Sequence, residues 1–366
     1  MNIPTRMAAV QLIGHGGYDK LVYGESVPVP VAAPGEVLIR VRAAGVNNTD
    51  VNTRIGWYSS AATTGTAEAG EGVAGAPTDG DWTGGGLAFP RIQGADVCGD
   101  IVAVGDGVAT SRIGERVIVQ SCLRSLTVGD FTPWLGSERD GAFAQFVTAP
   151  AADTYRVESG LADAELAAIP CAFGTAENLV SRAGVKAGDR VLVTGASGNV
   201  GIAAVQLARR RGAEVIAVAA EAKWGALLAA GATRCVDRGA DLVDTLGSAS
   251  VDVVIDVVGG PQWADLLDVL KVRGRCCVSG AIAGPIVRLD LRKLYLKDLT
   301  VHGCTAQDPH VFPDLVSYLE RGEISPLVAL VLPLRDIAVA QREFMAKTHV
   351  GKIVLVPPPL PPESEA

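Results

Sequence analysis

Two periodicities divide the chain. Its first 150 residues hold short alternating or β-branched runs at 37–44, 101–104 and 116–120, and another at 142–147 after the turn signal Arg139-Asp140-Gly141. That texture predicts an antiparallel, barrel-like region of strands and loops. From residue 163 strand and helix alternate: strand 190–194, helix 200–211, strand 215–219, then strands at 251–256 and 275–279. Strands separated by helical stretches imply a parallel sheet. Beyond residue 305 come a helix at 311–321, an amphipathic stretch at 334–345 and a last strand at 352–356. The proline-rich tail that follows cannot donate ladder hydrogen bonds and reads as an extended, solvated end.

One segment fits neither period. Residues 59–90 carry eight glycines between Gly65 and Gly86 and almost no hydrophobic rhythm, which predicts a long loop. Its composition favours a mobile insertion over a lid.

Composition narrows the class. A chain of 366 residues suggests two domains, and 48% hydrophobic with 20% charged residues excludes disorder, despite 43 glycines. The 32 basic and 40 acidic residues leave a net charge of -8, which argues against a nucleic-acid partner held by counterion release. No apolar run reaches the length of a membrane span and no basic-then-apolar leader opens the chain, so a cytoplasmic protein without a membrane partner is expected. The 7 cysteines are odd in number and irregularly spaced, as reduced thiols would be. With only 4 histidines beside them, any metal site must be drawn from a short roster.

The clearest chemical signal follows strand 190–194. Gly195-Ala196-Ser197-Gly198-Asn199-Val200-Gly201 leads from it directly into a helix, the context in which backbone amides receive a pyrophosphate. Gly198 would let the backbone approach the phosphates, and Gly201 would let the helix pack on the strand. Measured against G-x-G-x-x-G the first glycine is Ala196, and the alternative is a structural strand-to-helix turn. At the tip of the next strand, Ala219-Ala220 replaces the acidic residue that would bind ribose hydroxyls. Lys223 could meet a 2′-phosphate, whereas Glu221 could bind a ribose; NADP is favoured over NAD. Val257, Val258, Gly280 and Ala281 end two sheet strands on the dinucleotide side and are expected to line the nicotinamide half of the groove.

Gly45-Val46-Asn47-Asn48-Thr49-Asp50 with Arg54-Ile55-Gly56-Trp57-Tyr58, Gly94-Ala95-Asp96-Val97-Cys98-Gly99, Gly174-Thr175-Ala176, the 196–201 loop and Gly351-Lys352 occur in an order and spacing that resembles the medium-chain dehydrogenase/reductase superfamily, specifically its zinc-independent quinone oxidoreductase (zeta-crystallin-like) branch. The resemblance covers nearly the whole chain. It implies an α/β protein with a GroES-like β-barrel catalytic domain from residues 1–159 and 309–366, a Rossmann parallel-sheet domain from 160–308, an active-site cleft at their junction and a homodimer. It also implies that Asn47, Ala95 and Cys171 stand where zinc-dependent members place three metal ligands, while the structural-zinc lobe retains only Cys122. Catalytic zinc needs three protein ligands, so no metal is expected, and Cys171 reads as a small core residue.

Without a Lewis acid, hydride transfer suits conjugated acceptors, whose developing charge hydrogen-bond donors can meet. Tyr58 matches the proton donor of related enoyl reductases, with packing against Trp57 as the alternative. Asn47 matches an asparagine near the nicotinamide, or it satisfies a local turn. Thr175 matches a threonine beside the nicotinamide, or it caps a helix. Asp50 and Arg54, four apart, are expected to form a helix-face ion pair. His302 and His310 lack ligand partners at useful spacing. The expected function is therefore NADPH-dependent reduction of a quinone or α,β-unsaturated carbonyl. An enoyl-thioester reductase, an alcohol dehydrogenase-like carbonyl reductase and a non-catalytic NADPH-binding protein are the alternatives, in that order.

Overall fold

The computed structural model describes residues 3–70, 72–73 and 86–360; the rest of the 59–90 insertion lies outside the described residues. The chain opens with strands β1 (Arg6–Leu12), β2 (Leu21–Pro28) and β3 (Glu36–Gly45), helix α1 (Asn48–Ile55), then β4 (Arg91–Ile92), β5 (Cys98–Val104), β6 (Arg116–Val119), β7 (Phe146–Pro150), β8 (Thr154–Arg156) and α2 (Asp163–Leu166). An alternating second part follows: α3 (Pro170–Arg182), β9 (Arg190–Val193), α4 (Asn199–Arg210), β10 (Glu214–Val218), α5 (Trp224–Ala229), β11 (Arg234–Val236), α6 (Leu242–Leu246), β12 (Val251–Asp256), α7 (Trp263–Val269), β13 (Leu270–Val278), α8 (Leu291–Leu296), β14 (Thr300–Gly303) and α9 (Val311–Glu320). The last elements are β15 (Val328–Pro333), α10 (Ile337–Ala346) and β16 (Lys352–Val356).

Two compact units result. The first takes residues 1–61, 71–171 and 326–366, and the second takes 62–70 and 172–325. In the first, β3 is the organising strand. It pairs antiparallel with β5, β7 and β16, so Ile39 lies between Val147 and Ile101. The alternation of β3 buries Val37, Ile39 and Val41 in a core with Phe143, Phe146, Ile337 and Ile353. Each such side chain contributes about 1.5–3 kcal/mol on leaving water. The strand expected at 142–147 begins later, at Phe146, because residues 142–145 bond instead to Gln93, Gly94 and Ala8.

In the second unit all six strands run parallel in the order β11-β10-β9-β12-β13-β14. This is the doubly wound Rossmann order, with its switch point between β9 and β12. Leu192, Ile216 and Val254 of three neighbouring strands pack with Trp263 and Leu266 of α7.

The units divide at other points than residues 160 and 308. Residues 160–171 stay with the barrel, where Arg116 pairs with Asp163 at 2.6 Å and bonds the carbonyls of Ser159 and Leu161. Residues 309–325 stay with the Rossmann sheet, where Arg210 pairs with Glu323 and Gln206 exchanges two hydrogen bonds with Ser325.

Candidate active site

The phosphate loop is built for close approach. Gly195 leaves β9 with φ +56, a conformation that L side chains rarely adopt, and Gly198 is the exposed N-cap of α4. A Cβ at Gly201 would lie 2.2 Å from the Gly195 carbonyl oxygen, so only glycine lets α4 begin so near the strand. Ser197, Asn199 and Val200 remain partly accessible around this turn, and the first-turn amides of α4 supply donors for a pyrophosphate. These residues fit a nicotinamide dinucleotide. Gly195 was not among the residues singled out from sequence, although its place at the strand end was the available signal.

Lys223 closes a short 3-10 turn after β10. Burial, and then the charge of Arg238, hold its ammonium pKa below the ordinary lysine value. The two cations follow the carboxyl ends of neighbouring parallel strands, Lys223 after β10 and Arg238 after β11. Arg238 escaped the sequence reading because it lies on a different strand's exit from Lys223.

Asp256 organises the turn after β12. Fully buried, it accepts from Thr194 Oγ1 at 2.5 Å, from Val258 N at 3.0 Å and from Gly259 N at 3.2 Å. Burial raises its carboxyl pKa despite these donors. Val258 is thus set directly by this side chain, and the Val257 amide donates to Thr194 Oγ1 at 3.3 Å. Gly280 passes so near that a Cβ would lie 2.9 Å from the Val257 carbonyl oxygen, and Ala281 continues the adjoining turn. A charged residue ending the apolar run of β12 was the sequence signal for Asp256. Thr175 lies in the second turn of α3, partly accessible, and so does not cap that helix.

The barrel unit holds the other candidates. Asn47 is the N-cap of α1, and its amide N–H donates to Asp50 Oδ2 at 2.7 Å. Its side chain, 4% exposed, donates from Nδ2 to Asp96 Oδ2 at 2.8 Å and accepts from Lys352 Nζ at 2.5 Å. Lys352 also pairs with Asp96 Oδ2 at 2.5 Å, and the second Asp96 oxygen accepts from the Cys171 amide at 2.6 Å. Asp96 and Lys352 are both buried. Gly45 makes room for the pair, because a Cβ there would stand 2.4 Å from Lys352 Cε and 2.5 Å from Asp96 Oδ2. Asn47 therefore meets its needs within the barrel through a buried ion pair whose members lie far from it in the chain.

Asp50 and Arg54 do not pair. The Asp50 oxygens take the amides of Asn47 and Gly94, whereas Arg54 donates to Gln341 Oε1 and to the Gly16 carbonyl and stacks over Tyr18. Burial pushes the Asp50 carboxyl up to about 7. Both side chains are buried and bond to different partners.

Tyr58 follows α1 after Gly56. Its hydroxyl donates to Thr49 Oγ1 at 3.1 Å, its ring meets Trp57 edge-on at 5.8 Å, and burial raises the phenol pKa well above its usual value. The phenol therefore stays protonated at every physiological pH.

A catalytic zinc does not fit the three positions that the family uses. Asn47 offers an amide already facing an ammonium, Ala95 offers no donor, and Cys171 packs in an apolar cluster with Ala95, Cys122 and Trp134. A lysine cation beside the site would repel a dication. Among the described residues no group of three or more His, Cys, Asp or Glu side chains could hold a metal. A hollow of about 380 Å³ in the barrel, lined by Met7, Val27, Arg91 and Phe146 among others, contains none of the candidate site residues.

Comparison with known proteins agrees with this architecture. Residues 33–159 match the alcohol dehydrogenase GroES-like domain model and residues 199–321 the zinc-binding dehydrogenase model. A solved putative alcohol dehydrogenase from Sinorhizobium meliloti 1021 is 47% identical, with a TM-score of 0.88 over 97% of this chain and 98% of that one. The acryloyl-coenzyme A reductase of Metallosphaera sedula is 28% identical over 95% of this chain and 99% of its own length. The quinone oxidoreductase of Rattus norvegicus is 26% identical over 96% and 98% respectively. The chain belongs to the medium-chain dehydrogenase/reductase superfamily and is an oxidoreductase of that class. Members of the superfamily bind NAD(P). No helix among the described residues is long and apolar enough to cross a membrane.

Proposed function

We propose that this chain is a zinc-independent reductase that uses NADPH to reduce a quinone or an α,β-unsaturated carbonyl. The observation that carries the reading is the Lys352 ammonium, held by Asp96 and Asn47 among the positions where zinc-dependent relatives keep their metal. With no site for a Lewis acid, the acceptor must spread its own developing charge, as a conjugated carbonyl or quinone does.

Bound NADPH would supply the hydride. The amides and small residues of 197–201 would hold its pyrophosphate, Lys223 and Arg238 its 2′-phosphate, and Val257, Val258, Gly280 and Ala281 the nicotinamide side, with Thr175 as a further hydroxyl for the ring. Tyr58, kept as a neutral phenol by burial, would donate the proton, and Thr49 would orient its hydroxyl. Asn47 is assigned a positioning part, because its carboxamide is committed to Lys352 and Asp96.

Homodimer formation is proposed along β14, the edge strand of the parallel sheet, where Val301 is exposed, as are Tyr295 and Leu296 of the preceding helix α8. A second reading, enoyl-thioester reduction, is favoured by the acryloyl-coenzyme A reductase relative. Steady-state kinetics with a small enone, 9,10-phenanthrenequinone and an acyl-thioester separate the two. Comparable kcat/KM for the small acceptors supports the first reading, and a large thioester advantage supports the second.

A further inference from the structure

The first part of the glycine-rich insertion is packed against the Rossmann sheet. Residues 62–70 belong to the second unit, and both Gly65 and Thr66 are buried there. Thr66 N donates to the Ile282 carbonyl at 3.2 Å, and Glu68 N and Ala69 N turn back onto the Gly65 carbonyl. A Cβ at Gly65 would lie 2.4 Å from the Ile282 oxygen and 3.0 Å from the Ala283 carbonyl carbon. Backbone thus rests directly on backbone.

The layer beneath is the turn after β13. Ala283 N donates to the Val258 carbonyl and Gly260 N to the Gly284 carbonyl, at 2.9 and 3.0 Å. A Cβ at Gly259 would meet the Gly284 oxygen at 2.8 Å, and one at Gly260 the Ala283 side chain at the same distance. Below these, Asp256 holds the amides of Val258 and Gly259. Three backbone layers are therefore stacked at the carboxyl ends of β12 and β13: 257–260, held by the Asp256 carboxylate, under 280–284, and 280–284 under the arm 62–70. Each of the two junctions between them has a glycine without room for a side chain.

We infer that the arm 62–70 is a cofactor-positioning element, with Gly65 and Thr66 fixing the Ile282–Gly284 turn and through it the residues that receive the nicotinamide. This rests on the dinucleotide reading above. A turn held on both sides opens less often, and a nicotinamide bound against it would hold the turn, and the arm packed on it, more firmly still. The arm acts through the turns and is not catalytic.

Amide hydrogen exchange on the unaltered protein, with and without saturating NADPH, tests the coupling directly. The expected result is slower exchange at 198–202, at 257–260 and 280–284, and also about tenfold slower exchange at the Thr66 amide. Protection of the phosphate loop with no change at 62–70 would overturn the inference and leave the cofactor reading intact. No protection anywhere would overturn the cofactor reading, and the inference with it. A second arm uses Gly65→Ala, with Gly160→Ala as control because a Cβ at Gly160 meets nothing within 4 Å. Gly65→Ala is expected to weaken NADPH about tenfold by fluorescence titration while leaving adenosine 2′,5′-bisphosphate, which lacks the nicotinamide, unchanged. Equal weakening of both ligands, or of neither, contradicts a positioning role.

Discussion

Lys352 Nζ lies 2.5 Å from Asp96 Oδ2 inside the barrel unit, with both side chains buried and the Asn47 carboxamide bonded to each. Removing one member of such a pair leaves an uncompensated charge, at a cost of about 3–5 kcal/mol. Lys352→Met is therefore expected to lower stability by that order in chemical denaturation. The double variant Lys352→Met, Asp96→Asn should lose less than the two single losses added together, since it removes the orphaned charge. Additive losses would show that the two groups are not coupled.

Gly201→Ala is expected to abolish NADPH binding, measured by fluorescence titration, because its Cβ would fall 2.2 Å from the Gly195 oxygen and α4 would have to move off β9. Binding retained within a factor of about two would show that the phosphate loop lies elsewhere.

Lys223→Ala and Arg238→Ala should each weaken NADPH by about tenfold and leave NADH unchanged, because the charges they remove would face only the 2′-phosphate. Equal losses for both cofactors would move these cations away from that phosphate.

Tyr58→Phe should lower kcat about a hundredfold with an enone acceptor and leave NADPH affinity unaltered, as loss of a general acid does. The raised phenol pKa implies no fall in activity from Tyr58 ionisation up to about pH 10, the ordinary tyrosine value. Full activity in the phenylalanine variant would assign the proton to water.

Asp50 gives a pH dependence of stability with a definite sign. Its carboxyl titrates near 3.8 in the unfolded chain and is pushed up to about 7 in the fold, so the folded chain holds the proton longer. The stability it contributes is full below about pH 4 and is lost as pH rises through about 7. Asp50→Asn should flatten the fall of the unfolding free energy across that window relative to the parent chain. An unchanged slope would mean that other buried carboxyls, such as Asp256, set it.

The sequence carried most of the architecture because periodicity is local. Alternation in β3, apolar runs in β9 and β12, and the loop into α4 each depend on neighbours within a few residues. What was not legible depends on partners far apart in the chain. Asp50 and Arg54 have the spacing of an ion pair, yet Arg54 bonds Gln341, nearly three hundred residues away. Asn47 reads as a free donor until Lys352, equally distant, is placed against it. The glycines of 59–90 read as mobile, but the same absence of Cβ that suggests freedom is what lets Gly65 lie on Ile282. Composition alone does not separate those two uses of glycine.

Hydride transfer to a conjugated acceptor without zinc is tested by measuring NADPH oxidation with 9,10-phenanthrenequinone in protein dialysed against a strong chelator, with metal content determined on the same sample. Undiminished turnover with far less than one zinc per chain is expected. Loss of turnover on chelation, restored by about one equivalent of zinc per chain, would contradict it.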